Sequence, residues 1–167
     1  MAMVGLFWIT EDCVYVGSEP VGMATGVRLT EHGVEIPGLR PEKAWSWNEV
    51  RLLEVRDVAV RSAARRFVSM AFDTLLVAVT GDGELPPAYT VRVETAAGDE
   101  TEVSVLSAVT GGIYTREEYD NSLALLERLT DGRTNIADLL AWRRDHGMDD
   151  TPPREEREAL LRKWTGV

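Results

Sequence analysis

The hydrophobic period of this chain changes at Gly111-Gly112. Before that point, apolar and polar residues alternate in short runs separated by glycine-containing turns, which is typical of β-strands that bury one face. After it, Tyr119, Leu123 and Leu126 recur at helical spacing behind a capping-box pattern at residues 115–118. Strands followed by helices favour an α+β fold, mostly antiparallel β, because sheets and amphipathic helices bury their apolar faces against each other.

Residues 43–60 are interpreted as the central strand. Trp45 and Trp47 are two residues apart, so their indoles lie on the same face of an extended chain, and a valine- and leucine-rich run follows them. A face with two indoles is either core or a binding surface. We expect at least one of the two in the core, where its replacement by alanine costs about 3–5 kcal/mol.

The other strands are predicted as hairpins. One joins residues 4–9 to 14–16, one spans 27–36 around a turn at Glu31-His32-Gly33, and one spans 89–105 around a turn at 96–99. A buried strand is predicted at 70–79, before a Gly-Asp-Gly turn. Roughly eight strands with short connections predict two antiparallel sheets closed into a partly open barrel, capped by the first helix. A lipocalin-like open cup is the competing arrangement.

Two further helices are predicted near the C-terminus. One begins after Asn135 and ends near Gly147, and the other follows Thr151-Pro152-Pro153, a break in the chain. The predicted domains are therefore a barrel with its capping helix at 1–131 and a helical extension at 132–167. The last helix is too short to be stable alone, so we expect its apolar side to dock on this barrel or on another chain.

The charge of the chain limits its partners. Its 28 acidic residues exceed its 18 basic ones, which gives a net charge of −10. Such a surface repels nucleic acids and anionic membranes, so we expect no nucleic-acid partner and no membrane binding. The single cysteine, the absence of a basic leader and the absence of a long apolar run predict a soluble cytoplasmic protein.

The residue types used in catalysis do not form a recognisable constellation. Cys13 is interpreted as a small buried group, and His32 as a solvated turn residue. A metal site at Asp145-His146 with Asp149-Asp150 is less favoured than a solvated linker. We therefore expect no catalytic residue, no metal and no cofactor. Arg61, Arg65 and Arg66 form the densest positive cluster, which predicts either a solvated connector or an anion site.

Two segments carry a family resemblance. Residues 26–36, followed by Trp45-Ser46-Trp47-Asn48-Glu49-Val50-Arg51, resemble the strand, turn, strand and Trp-Ser/Asp-acidic-Val pattern of bacterial pleckstrin-homology-like (PH-like) domains. The resemblance covers about residues 4–131 and implies a protein-interaction or scaffold role. The first hairpin lacks the Lys/Arg series of phosphoinositide-binding members, so the resemblance does not imply lipid binding.

Three classes of function follow from these observations. The first is a non-catalytic interaction or scaffold module, whose partner, or second copy, meets an exposed barrel edge or the C-terminal helices. The second is an anion or acidic-lipid headgroup binder that uses the arginine cluster, with a small-ligand-binding barrel as a further alternative. The third is an enzyme. The residues expected to meet a protein partner on the helices are Trp142, Leu160, Leu161 and Trp164.

Overall fold

The computed structural model describes residues 2–61, 87–109, 111–146 and 151–166. The strands in these ranges are β1 Ala2–Val4, β2 Phe7–Ile9, β3 Val14–Val16, β4 Val27–Leu29, β5 Gly33–Ile36, β6 Lys43–Ser46, β7 Val50–Arg56, β8 Ala88–Thr95 and β9 Glu100–Leu106. The helices are α1 Arg116–Thr130, α2 Ile136–Asp145 and α3 Arg154–Thr165. The predicted strand at 70–79 and the turn after it lie outside the described residues.

The strands form two antiparallel sheets. β1 to β6 make a six-stranded sheet in sequence order, and β7, β8 and β9 make a three-stranded one. The predicted α+β class with a C-terminal helix is confirmed. The predicted closure into a barrel is wrong, because no strand pairing joins the two sheets within the described residues.

The predicted central strand at 43–60 is two strands in different sheets. Residues 47–49 form a turn between β6 and β7, in which the backbone N–H of Glu49 donates to the Ser46 carbonyl at 2.9 Å. Trp45 lies in β6 and Trp47 in the turn, and both indoles are half-buried against the core. Neither tryptophan is therefore a fully buried residue of a single central strand.

The three predicted hairpins are present. In the clearest, Leu29 pairs with Val34 across β4 and β5. A further hairpin, β1 with β2, divides the first apolar run at Gly5. Gly5 has φ +57, and a Cβ there would lie 2.2 Å from the Ser122 hydroxyl oxygen of α1. This turn therefore requires glycine both for its backbone conformation and for its contact with the helix.

The helix ends follow the caps in the sequence. At the start of α1, the Thr115 hydroxyl accepts from the Glu118 N–H at 3.1 Å, and the Glu118 carboxylate accepts from the Thr115 N–H at 3.3 Å. At the start of α2, the Asn135 side chain accepts from the Asp138 N–H at 3.2 Å. α3 begins after Pro153 and ends at Gly166. The capping box predicted for α1 is confirmed.

One hydrophobic cluster contains buried side chains from both sheets and all three helices. Leu161 of α3 is fully buried, and the rings of Trp164 and Trp142 meet edge to face at 5.8 Å. An ion pair at 2.7 Å between Arg157 of α3 and the buried Glu118 of α1 fixes the position of the last helix. The apolar side of α3 is thus docked within its own chain, and residues on both sides of the predicted boundary at 131 share one core.

Candidate interaction edge

The outer strands of the two sheets differ in what covers them. At β1, helix α3 packs against the strand, and the Met3 N–H donates to the Thr151 hydroxyl at 3.3 Å. At β9, the loop between β3 and β4 supplies the cover. The Ser18 N–H donates to the Leu106 carbonyl and the Thr25 hydroxyl to the Ser104 carbonyl, both at 2.8 Å.

The strand β7 is also in contact with other elements. Helix α1 packs against it, and the chain just beyond it is tied to the segment before α1. There the Tyr114 N–H donates to the Ala59 carbonyl at 2.9 Å, and the Arg61 N–H donates to the Tyr114 carbonyl at 2.8 Å. Helices or loops from other parts of the chain therefore pack on or bond to three of the four outer strands.

The fourth outer strand, β6, pairs only with β5 among the described strands. The Ser46 N–H donates to the Glu49 carboxylate at 2.9 Å and its carbonyl accepts from the Glu49 N–H, so both Ser46 groups point away from β5. Backbone groups along a strand alternate in direction, so those of Ala44 point the same way. Ala44 is exposed, and its outward N–H and C=O have no hydrogen-bond partner within the described residues.

A cleft of about 450 Å³ lies beside this strand, between β6 and the turn that joins β8 to β9. We call it the edge cleft. Its aromatic lining residue is Trp45, which is half-buried and pairs with Val34 across β5 and β6. The lining residues are Glu42, Lys43, Ala44, Trp45, Asp99 and Glu100.

The edge cleft is acidic. Three carboxylates line it against one ammonium group, that of Lys43, which donates to the Thr101 hydroxyl at 2.9 Å. Glu100 is paired with Arg92 on the outer face of the three-stranded sheet. Glu42 and Asp99 have no ion pair within the described part of the chain. In the described ranges neither carboxylate therefore lies within 4.0 Å of a cationic nitrogen.

The end of β6 is held by an acidic side chain. The Glu49 carboxylate accepts from the Ser46 hydroxyl at 2.5 Å as well as from its N–H. The hydroxyl, and then the backbone N–H, lower the pKa of Glu49 below its usual range, so this carboxylate is ionised at neutral pH. This interaction fixes where the strand ends and which way its last backbone groups point.

A second cleft, of about 360 Å³, lies on another part of the surface, where the ends of α1 and α2 meet the turn of Trp47. The indole N–H of Trp47 donates to the Thr30 carbonyl at 2.9 Å, which ties this turn to the β4–β5 hairpin. Its lining includes the apolar residues Leu129 and Ile136 and one acidic residue, Glu31.

The residues predicted to meet a partner on the helices are covered by the chain itself. Trp142, Leu160, Leu161 and Trp164 are all buried, with 7%, 8%, 0% and 6% of their surface exposed. A partner would contact them only after α3 had separated from the core. Of the predicted anion site, Arg61 is exposed, whereas Arg65 and Arg66 lie outside the described residues.

The candidate reactive residues are dispersed. Cys13 is half-buried with its sulfur 3.3 Å from the Thr10 hydroxyl, and His32 is exposed at a turn. The ring of His146 stacks on Trp142 at 5.2 Å, with Nδ1 2.8 Å from the Trp142 carbonyl oxygen. Asp149 and Asp150, proposed as its metal partners, lie outside the described residues. In the parts that the structure describes, no three His, Cys, Asp or Glu side chains cluster as metal ligands.

Sequence reasoning found Trp45 but missed the free edge. A signal was present, because Ser46 and Glu49 have the Ser-x-x-Glu spacing that closes a turn by reciprocal hydrogen bonds. The approach of Asp99 and Glu100 to β6 had no such signal, because more than fifty residues separate them from this strand in sequence.

No helix among the described residues is both long and apolar enough to cross a membrane. Comparisons of the chain with protein-family models, with curated proteins and with solved structures find no match.

Proposed function

We propose that this chain is a non-catalytic protein-interaction module on a PH-like scaffold, and that it binds an extended segment of a partner protein as an added strand along β6. The observation that carries the proposal is the exposed Ala44, whose backbone groups point away from β5 beside the edge cleft. An unpaired strand edge is a template for a further strand.

The edge cleft supplies side-chain contacts in addition to the main-chain hydrogen bonds of β6. β6 has only four residues, so main-chain hydrogen bonds give an added strand few contacts. In strand addition, pockets that take alternate side chains provide specificity. Trp45 offers one such contact, because its indole is half-exposed within reach of the edge. The partner segment would therefore be held by its backbone at Ala44 and by one side chain in the cleft.

The order of the elements supports a PH-like scaffold. Two antiparallel sheets are followed by an amphipathic helix that packs on the first strand of the second sheet. This order agrees with the resemblance of residues 26–51 to the PH-like pattern. Such scaffolds act as platforms for many ligands, so the proposed activity depends on β6 and its cleft rather than on the fold.

The experiment compares two substitutions at one position. Ala44→Pro removes the outward N–H, which is tolerated at a sheet edge, whereas Ala44→Val keeps it and favours a strand. Peptides are selected from a random displayed library on the wild-type chain, and their affinities for both variants are measured. We expect Ala44→Pro to lose binding and Ala44→Val to retain it. Selected peptides that bind both variants equally would contradict strand addition.

A further inference from the structure

We infer that the partner segment is basic, and that a lysine or arginine side chain of this segment enters the edge cleft over the Trp45 indole, between Glu42 and Asp99. This inference rests on the proposed strand addition at β6 and specifies the chemistry of the segment that is added.

The charges around the edge indicate a cation. Glu42 precedes β6 and Asp99 lies in the turn before β9, so two acidic residues from different elements line the edge cleft. Neither has an ion pair within the described ranges. A guanidinium or ammonium group between them would be attracted from both sides, while an acidic segment would be repelled.

The aromatic ring of Trp45 also favours a lysine or arginine side chain in the cleft. Trp45 is only half-buried, and the quadrupole of an indole ring attracts a cation placed over its face. The apolar stem of a lysine or arginine also packs well on such a ring. Lys43 does not fill this position, because its ammonium group is bonded to the Thr101 hydroxyl.

A second copy of this chain is a poorer occupant of the edge. Each copy carries a net charge of −10, so two copies repel each other. An antiparallel pairing of two β6 strands about Ala44 would place Glu42 opposite Ser46 of the second copy and would leave the carboxylate without a cation. Charge complementarity therefore selects a basic partner segment.

The test uses a synthetic peptide that alternates arginine with valine and threonine, and a counterpart with glutamine in place of each arginine. Fluorescence anisotropy of the labelled peptides measures both affinities at low and high salt. We expect the arginine peptide to bind roughly tenfold more tightly at low salt, with the difference shrinking as salt rises. Glu42→Gln with Asp99→Asn should abolish the preference, whereas Ala44→Pro should abolish binding of both peptides.

The control variants separate the two proposals. Glu42 and Asp99 are exposed, so the double variant should melt like the wild type. If both peptides bind equally and remain sensitive to Ala44→Pro, the basic-segment inference is overturned and strand addition stands. If neither peptide binds, or if Ala44→Pro leaves the affinities unchanged, both proposals are overturned. Sedimentation that shows a dimer lost in Ala44→Pro would assign the edge to a second copy instead.

Discussion

The two outer strands of the six-stranded sheet, β1 and β6, have the same kind of backbone but different surroundings. All three residues of β1 are buried, and α3 covers the strand from the far end of the sequence. In β6 the residues alternate between half-buried and exposed, and no described strand or helix covers its outer side. Among the described elements, the C-terminal helix covers one edge of the sheet, whereas the other edge is uncovered.

The largest expected effect is at the closed edge. Leu161 of α3 is fully buried and approaches the turn at Gly5. Leu161→Ala removes most of this side chain and should lower the free energy of unfolding by about 2–5 kcal/mol. At the open edge, Ala44→Val should change it by less than about 0.5 kcal/mol. Urea unfolding measures both, and two equally small losses would show that α3 is not part of the core.

A smaller effect is expected at Trp45, which belongs partly to the core and partly to the edge cleft. Because its indole is only half-buried, Trp45→Ala should cost about 1–2 kcal/mol rather than the loss expected for a fully buried ring. The same variant should weaken binding of the arginine peptide. Thermal melting measures the loss of stability and anisotropy measures the loss of affinity. A variant that keeps full affinity would show that the indole is not part of the binding site.

The sequence was most informative where neighbouring residues determine the structure. The β4–β5 hairpin and the cap at Thr115 follow from alternation and from side-chain spacing within a few residues. The turn after Ser46 was missed because its residues include neither glycine nor proline. Whether β1 or β6 stays open depends on Thr151 and on the β8–β9 turn, which lie far away in sequence, and local patterns do not specify such contacts.

The next effect is smaller still and concerns the indole of Trp47. Trp47→Phe removes one hydrogen bond to the Thr30 carbonyl and should cost about 0.5–1.5 kcal/mol. It should leave peptide binding at β6 unchanged, because the second cleft is separate from the edge cleft. Urea unfolding and anisotropy check the two statements, and a loss of peptide affinity would mean that the turn positions β6.

The smallest effect is a pH dependence at the closed edge. The hydrogen bond from Arg154 lowers the pKa of Glu158 below its usual range, so the pair stabilises the fold above the unfolded pKa and is lost as pH falls through the folded one. Glu158→Gln should therefore lower the melting temperature near neutral pH and have less effect below about pH 4. An equal decrease at both pH values would show that the carboxylate charge is not responsible.

Amide hydrogen exchange tests the comparison of the two edges most directly. The Met3 N–H is bonded to Thr151, and the Ala44 N–H points away from the sheet. The free protein should exchange the Ala44 amide near the rate of an unstructured peptide, while the amides of Met3 and Trp45 exchange slowly. Addition of the arginine peptide should then slow exchange at Ala44 without changing Met3. An Ala44 amide that is already protected, or that the bound peptide leaves unprotected, would contradict an open binding edge at β6.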